Sequence, residues 1–233
     1  MLNLNNKSKK LLLLQRNELL TEKQKWKRKK FGRFLFTNFF INFNQAKNIS
    51  LDAENLFKSE IDTFKNFLPR TCNNIMDIGC GLGIINILLN KFYNGKISFY
   101  LLDKNRIDKK IKYGFSSNYE SYNDLNETKR ILLENNISES NLFLFDVEKD
   151  IQIDCKIDLV ISLKSMGYHY PFETYLHLLV KCCNKNTIFI FDVSADTFDG
   201  ILFKKYFENI ETIYEEKSIH SLKRLFCKGL RFN

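Results

Sequence analysis

Apolar runs of strand length alternate with stretches of helical apolar spacing through most of the chain. The first run, residues 75–78, stops at a glycine-rich turn, and residues 83–92 behind it have apolar positions at helical spacing. The same order recurs in strand-like runs at residues 97–103, 141–146, 157–163 and 187–193, with helical stretches near residues 126–135 and 172–183. A repeated strand–helix order predicts an α/β domain.

The segments on either side of this region predict further helices and strands of the same domain. Ser50 is expected to cap a helix that ends before Pro69. Near the other end, residues 200–207 have a helical pattern, and residues 210–215 and 222–227 predict a closing pair of strands.

The glycine-rich turn contains the most specific pattern in the chain, Asp-Ile-Gly-Cys-Gly-Leu-Gly at residues 77–83. Glycine at alternate positions lets the backbone adopt positive φ angles and approach a ligand closely. The helix behind the turn would direct its free N–H groups toward that ligand. The spacing differs from the Gly-x-Gly-x-x-Gly of dinucleotide-binding proteins, and the Gly-x-x-x-x-Gly-Lys-Ser/Thr of phosphate loops is absent from the sequence.

This pattern resembles the first motif of the class I S-adenosylmethionine (SAM) methyltransferases. The resemblance covers about residues 50–230. It implies a Rossmann-like, seven-stranded, mostly parallel sheet with one antiparallel strand and helices on both faces. It also implies SAM as cofactor and S-adenosylhomocysteine as product. We therefore divide the chain into a SAM-dependent methyltransferase domain, residues 50–233, and an N-terminal helical arm, residues 1–49.

The same resemblance implies a set of cofactor-binding residues. In the family the glycine loop cradles the amino-acid end of SAM, and an acid at the end of the next strand holds the ribose hydroxyls. That acid would be Asp103, and Asp146 at the end of the third strand would lie beside the adenine. The full set is Asp77, Gly79, Cys80, Gly81, Asp103, Lys104, Asp146, Val147 and Ser162.

The loop after the fourth strand, residues 164–172, distinguishes among reaction types. In open α/β sheets, ligands lie beyond the carboxyl ends of the strands, so this loop should border the methyl group. It lacks the Asp/Asn-Pro-Pro-aromatic motif of enzymes that methylate base amines, and it lacks a Pro-Cys nucleophile. It also lacks the strand-end acid of the heat-shock type of ribose 2′-O enzymes, because Leu163 or Lys164 stands there. We therefore expect O-methylation of a small molecule or a glycan.

His169 is the candidate catalytic base for such a hydroxyl. An ordinary imidazole pKa near 6.5 suits proton abstraction at neutral pH. The alternative is that His169 only packs between Tyr168 and Tyr170, in which case Lys164 or Tyr168 would be the base. This Gly-Tyr-His-Tyr-Pro segment, together with Phe-Cys-Lys-Gly at residues 226–229, resembles segments of uncharacterised methyltransferases that are often labelled as sugar O-methyltransferases.

The basic charge of the protein is confined to the arm. Residues 1–33 carry eleven Lys and Arg and two acids, which equals the net +9 of the whole chain. An electrostatic arm would bind phosphates or anionic lipid, and an RNA methyltransferase that uses residues 7–33 is the alternative function. The alternative without a binding role is a solvated helix, or a partly disordered leader that docks on the domain by its leucines. Residues 31–43 add six phenylalanines, which should pack on the domain or form a lid.

The remaining composition narrows the class of protein. No apolar run is long enough to span a bilayer, and six scattered cysteines are typical of reduced thiols in a cytoplasmic protein. The cysteines and the three histidines lack the spacing of a zinc site, so we expect no metal. A third hypothesis is a non-catalytic binding protein with a SAM-type fold. The acceptor and the oligomeric state stay open.

Overall fold

A computed structural model describes residues 2–42, 48–107, 122–168, 170–196, 198–216 and 221–231. The strands are β1 (Asn74–Ile78), β2 (Ser98–Asp103), β3 (Leu142–Asp146), β4 (Leu159–Ser162), β5 (Ile188–Ser194), β6 (Phe207–Glu216) and β7 (Leu222–Leu230). The helices are α1 (Asn6–Gln15), α2 (Glu22–Phe31), α3 (Arg33–Asn42), α4 (Ile49–Asp62), α5 (Ile84–Phe92), α6 (Leu125–Glu134), α7 (Glu173–Cys182) and α8 (Gly200–Phe203).

The seven strands form one sheet in the order β3-β2-β1-β4-β5-β7-β6. The first five pair in parallel, and β7 runs antiparallel to both β5 and β6. The prediction of a seven-stranded, mostly parallel sheet with one antiparallel strand is therefore confirmed. Because the chain order reverses between β1 and β4, the carboxyl ends of these two strands form the topological switch point at which open α/β sheets bind ligands.

Helices cover both faces of the sheet, as predicted. On one face α4, α5 and α6 contribute Phe57, Ile87 and Leu132 to a large apolar core. On the other face α7 and α8 contribute Leu179 and Phe203 to a second core. Since the central strands are covered on both sides, they read as nearly continuous apolar runs rather than as alternating ones.

Two predicted element bounds near the flanks are wrong. The helix expected over residues 200–207 ends at Phe203, and Phe207 already begins β6. The Phe207 ring is fully buried, with its centroid 4.9 Å from that of Phe189, so packing on the sheet overrides the local helical pattern. Ser50 lies inside α4 rather than at its cap, because the helix begins at the buried Ile49.

The N-terminal arm packs against the α4–α6 face through α1 and α3. Four consecutive leucines of α1, at residues 11–14, are buried. On α3 the rings of Phe36 and Phe40 stack with centroids 5.5 Å apart and face the same core. Arg16 adds a two-pronged ion pair to Glu60 on α4, with N–O distances of 2.9 and 3.2 Å. The arm is therefore tied to the domain by both apolar and ionic contacts.

Candidate functional site

The glycine-rich loop between β1 and α5 folds back onto the end of β2. The backbone N–H groups of Gly79 and Cys80 both donate to the carbonyl of Leu102, at 2.7 and 3.2 Å. Gly79 and Gly81 have φ angles of +76° and +53°, which side-chain-bearing residues rarely adopt. The loop therefore holds its shape through a conformation that requires glycine and through hydrogen bonds to the neighbouring strand.

The carboxylate of Asp103, at the end of β2, organises this edge of the sheet. One oxygen accepts the Gly81 N–H at 2.7 Å and the Asn123 side-chain amide at 3.1 Å, and the other accepts the Lys104 N–H at 2.7 Å. Burial raises the pKa of Asp103 to about 6, although the three donors act in the opposite direction. A carboxylate has about four acceptor positions, so capacity remains for one more donor.

A second acid, Asp77, lies beneath the loop. It is almost fully buried and accepts the side-chain amide of Asn86 at 2.6 Å. Burial, with a smaller contribution from the nearby charge of Asp103, raises the pKa of Asp77 to about 7, although the hydrogen bond from Asn86 acts in the opposite direction. The amide oxygen of Asn86 is buried and has no hydrogen-bond partner among the described residues. Two oxygen atoms of acceptor character thus lie together behind the glycine loop, in an environment that favours a positively charged partner.

A cleft of about 780 Å³ opens beside the ends of β2 and β3. Lys104 and Val147 line it on the strand side, and Tyr170 and Tyr175 line it on the side of the fourth-strand loop and α7. The Lys104 ammonium lies 5.4 Å from the centroid of the Tyr170 ring. The volume of the cleft is in the range of small-molecule and cofactor sites. Its lining combines aromatic and aliphatic side chains with three lysines, one aspartate and one histidine.

The end of β3 contributes to the same region. Asp146 is paired in register with Asp103, and the Val147 N–H donates to the Asp103 carbonyl at 3.0 Å. The Asp146 carboxylate accepts the backbone N–H of Glu148 at 3.2 Å. The structure therefore brings the two strand-end acids predicted from sequence to adjacent positions at one edge of the sheet.

Ser162 and Ser165 join the fourth-strand loop to the glycine loop. The fully buried Ser162 hydroxyl donates to the Ile78 carbonyl at 2.7 Å and accepts the Met166 N–H at 2.8 Å. A Cβ atom added to Gly79 would lie 2.1 Å from the Ser165 Oγ, so only glycine fits there. The structure thus places Ser162 behind the loop, and its contact with a cofactor stays a prediction.

Cys80, the remaining predicted member of the glycine loop, has a buried side chain. Burial raises the pKa of its thiol well above the usual value, and the charges of Asp103 and Asp77 act in the same direction. A thiol held neutral is a poor metal ligand and nucleophile. Within the described part of the chain, no group of three or more His, Cys, Asp or Glu side chains is placed to hold a metal ion.

The fourth-strand loop contacts the arm. Lys164 has a φ of +58°, its backbone N–H donates to Asp192 at 3.1 Å, and its ammonium forms an ion pair with Glu18. Tyr168 and Tyr170 donate their backbone N–H groups to the Ser165 carbonyl, which closes the loop. His169 lies outside the described residues, so its role as base remains a prediction.

Sequence reasoning missed three polar residues of the site. Asn123 donates to the Gly81 carbonyl at 2.9 Å as well as to Asp103, and the Thr128 hydroxyl donates to the same carbonyl at 2.8 Å. Gln15 of α1 lies close to Gly81, where an added Cβ would be 2.9 Å from the glutamine oxygen. The Asn123–Thr128 segment has one local signal, the helix cap at Asp124, but no sequence pattern indicates that Gln15 reaches the loop.

The described helices include none long and apolar enough to cross a membrane. No protein-family model matches the chain, and no curated protein does. Solved structures do match in fold. A precorrin-6y C5,15-methyltransferase from Geobacter metallireducens aligns over 72% of this chain and 85% of its own, with 12% identity and a TM-score of 0.50. The StiE O-MT aligns over 82% of this chain and 78% of its own, with 13% identity and a TM-score of 0.51. The chain thus has the fold of class I SAM-dependent methyltransferases.

Proposed function

We propose that this protein is a SAM-dependent methyltransferase. The observation that carries the proposal is the arrangement at the switch point of the sheet. There the glycine loop lies between a buried acceptor pair, Asp77 and Asn86, and the partly satisfied carboxylate of Asp103, beside a cleft of suitable size. A ligand with an ammonium at one end, a diol in the middle and a planar ring at the other end matches these features. The ammonium would face the acceptor pair, the diol would face Asp103, and the ring would lie in the cleft.

The residues present fit SAM in their donor and acceptor character. Gly79, Cys80 and Gly81 would hold its amino-acid end, with Asp77 compensating the ammonium. Asp103 would accept from the ribose hydroxyls. The adenine would lie in the cleft among Lys104, Asp146, Val147 and Tyr170, with Ser162 supporting the loop from behind. Bound there, SAM supplies a methyl group on a positively charged sulfur, which an acceptor oxygen can attack.

For the acceptor we propose a hydroxyl group of a small molecule or a glycan. The fourth-strand loop supports this choice because it lacks the motifs of amine- and carbon-methylating enzymes and contains His169 between two tyrosines. Tyr170, the next residue, lines the cleft. In this proposal His169 takes the proton of the acceptor hydroxyl as the oxygen attacks.

Calorimetry with SAM and S-adenosylhomocysteine tests the cofactor. We expect both to bind, and we expect Asp103→Ala to weaken them by about ten- to a hundredfold, because a hydrogen bond to a charged group contributes roughly 1.5–3 kcal/mol. Asp62→Ala, which removes an exposed acid at the end of α4, is the control and should bind like the wild type. Unchanged affinity in folded Asp103→Ala would remove Asp103 from the site.

Transfer of a labelled methyl group tests the reaction. The protein is incubated with methyl-labelled SAM in three separate reactions, which contain small hydroxylated metabolites, glycans or RNA as the acceptor. Label in a hydroxyl of the first two classes is the expected result. Label in RNA would instead support the alternative in which residues 7–33 bind the substrate. SAM binding without transfer to any class would favour a non-catalytic binding protein.

A further inference from the structure

Four large apolar side chains of α2 and α3 are exposed to solvent. Trp26, Phe31, Leu35 and Phe39 are 60%, 56%, 73% and 67% exposed, and we call these four residues the outer face. Leu35 and Phe39 lie one helical turn apart and therefore on the same side of α3. The opposite side of that helix holds Phe36 and Phe40 in the core. Leu35 and Phe39 thus lie on the solvent side of a helix whose other side is already anchored in the core.

Exposed lysines of α2 accompany the outer face. The exposed basic residues of α2 are Lys23, Lys27, Lys29 and Lys30. The Lys30 ammonium lies 5.4 Å from the centroid of the Trp26 ring, so charge and aromatic surface are in direct contact. Glu22 is the one acid between residues 21 and 42, and it pairs with Lys25 at 2.7 Å. The surface is therefore strongly positive as well as apolar.

Arg28, which attaches α2 to the rest of the arm, lies two positions from Trp26 and therefore on roughly the opposite side of that helix. Buried Arg28 donates to the Leu13 carbonyl at 2.7 Å and so fastens α2 to the end of α1. Elsewhere in the arm, Lys7 pairs with Asp124 at 2.6 Å, which takes one basic side chain of α1 into a contact with the domain. Large apolar side chains exposed among charges usually mark a surface that meets a partner or a membrane.

We propose that the outer face docks the protein onto an anionic lipid surface. The lysines would meet the acidic headgroups, each contributing attraction near the membrane, while their aliphatic stems lie along the interface. Trp26, Phe31, Leu35 and Phe39 would enter the boundary between headgroups and acyl chains, where aromatic and aliphatic side chains are stabilised. The protein lies on the bilayer in this arrangement and does not cross it.

Two other occupants fit the surface less well. A nucleic acid would satisfy the lysines and could stack on Trp26, but Leu35 has no ring with which to stack on a base. A second copy of the chain would cover the apolar side chains but would bring a second set of lysines against the first, and like charges in contact oppose association. An anionic membrane matches both the apolar and the basic components. The proposal does not depend on the proposed methyl transfer.

Vesicle sedimentation with the full-length protein tests this proposal. Vesicles of phosphatidylcholine alone are compared with vesicles that also contain phosphatidylserine, at about 0.1 M salt, where charges are screened beyond about 10 Å. We expect binding to the serine-containing vesicles to be at least about tenfold stronger and to weaken at higher salt. Lys27→Glu/Lys30→Glu should lower that binding about tenfold or more, given the contribution of each basic residue near the surface.

A second variant and its control test the contribution of the apolar side chains to vesicle binding. Leu35→Ser/Phe39→Ser should lower binding about tenfold or more at every salt concentration, because the loss concerns inserted apolar area. Ile201→Ser, which changes a residue that is 78% exposed on α8, should bind like the wild type. Because all these positions are exposed, the thermal unfolding curves of the variants should match the wild-type curve.

Three results would overturn the proposal. The first is equal binding to both vesicle types. The second is that the Leu35→Ser/Phe39→Ser variant still binds vesicles, while the wild type binds a single-stranded RNA oligonucleotide and Lys27→Glu/Lys30→Glu does not. The surface would then be a nucleic-acid site. The third is a dimer in solution that Leu35→Ser converts to a monomer, which would make the outer face an interface between copies.

Discussion

At the scale of single residues, Asp77 links the candidate site to the pH dependence of stability. Burial raises its pKa from the usual 3.8 to about 7, and the pKa of Asp103 rises to about 6 for the same reason. The folded state therefore binds more protons than the unfolded chain between about pH 4 and pH 7. Their contribution to stability is fully present below pH 4 and is lost as the pH rises through 7.

Asp77→Asn should remove most of this dependence. The asparagine oxygen can still accept from Asn86, but the group no longer has to lose a proton inside the protein. Since one pKa unit corresponds to about 1.4 kcal/mol, we expect the variant to be more stable than the wild type at pH 8 by up to about 4 kcal/mol. Urea unfolding at pH 5 and pH 8 measures this difference, with Asp62→Asn as an exposed control. Parallel pH profiles for the Asp77 variant and the wild type would contradict the raised pKa.

His169 can be tested by kinetics once the labelling experiment supplies an acceptor. A positioned base typically contributes a factor of 10²–10⁴, so His169→Ala should lower turnover by about that factor with SAM affinity nearly unchanged. The wild-type rate should rise with pH through the histidine pKa, and this limb should be absent in the variant. His220→Ala, which removes a histidine outside the fourth-strand loop, should retain the limb. A limb that survives in His169→Ala would transfer the role to Lys164 or Tyr168.

Sequence alone could locate the strand-end residues of the site but not the residues that hold them. Asp103 ends an apolar run, and Asp77 lies within one, two residues before the glycine-rich turn, so their positions near one sheet edge come directly from the strand pattern. Asn123 reaches Asp103 across 20 residues of sequence and Gln15 approaches Gly81 from the arm, and neither contact has a local pattern. Their positions depend on how whole segments pack, and apolar periodicity does not contain that information.

At the scale of elements, the N-terminal arm combines a helix that is buried against the domain with a helix that exposes apolar side chains. The leucines of α1 are buried, whereas the outer face of α3 is exposed, so neighbouring helices of one segment have opposite roles. The sequence indicated both apolar character and charge here. It could not distinguish the docked side from the exposed side, because α2 and α3 are apolar or charged around much of their circumference.

A pair of leucine substitutions should separate these roles. Leu13 is fully buried at the end of α1, and Leu13→Ala should lower the free energy of unfolding by about 2–5 kcal/mol. Leu35→Ala, the same change on the exposed side of α3, should alter it by less than about 0.5 kcal/mol. Urea unfolding of both variants gives the comparison. Equal small effects would mean that α1 contributes little to the stability of the domain in solution.

At the scale of the whole molecule, one buried ion pair joins four parts of the fold. Arg224 on β7 makes a two-pronged contact with Asp192 on β5, at 2.7 and 3.0 Å, with both side chains almost fully buried. The same guanidinium donates to the Thr63 hydroxyl at 2.6 Å, just beyond α4. Asp192 in turn accepts the backbone N–H of Lys164 at 3.1 Å. The Arg224–Asp192 pair therefore connects the antiparallel edge of the sheet to α4 and to the fourth-strand loop.

Arg224→Met should be strongly destabilising, because it leaves the Asp192 carboxylate buried without a compensating charge. We expect a loss of about 3–5 kcal/mol in the free energy of unfolding. In the double variant Asp192→Asn/Arg224→Met the buried charge is gone while an oxygen remains for the Lys164 N–H, so stability should recover by at least about 1 kcal/mol. Lys65→Met, which breaks the exposed pair with Asp62, should change stability by less than about 1 kcal/mol. Urea unfolding of these proteins, together with Asp192→Asn alone, completes the double-mutant cycle and measures the coupling. Strictly additive effects of the two substitutions would show that the pair is not what holds this edge of the sheet to the candidate site.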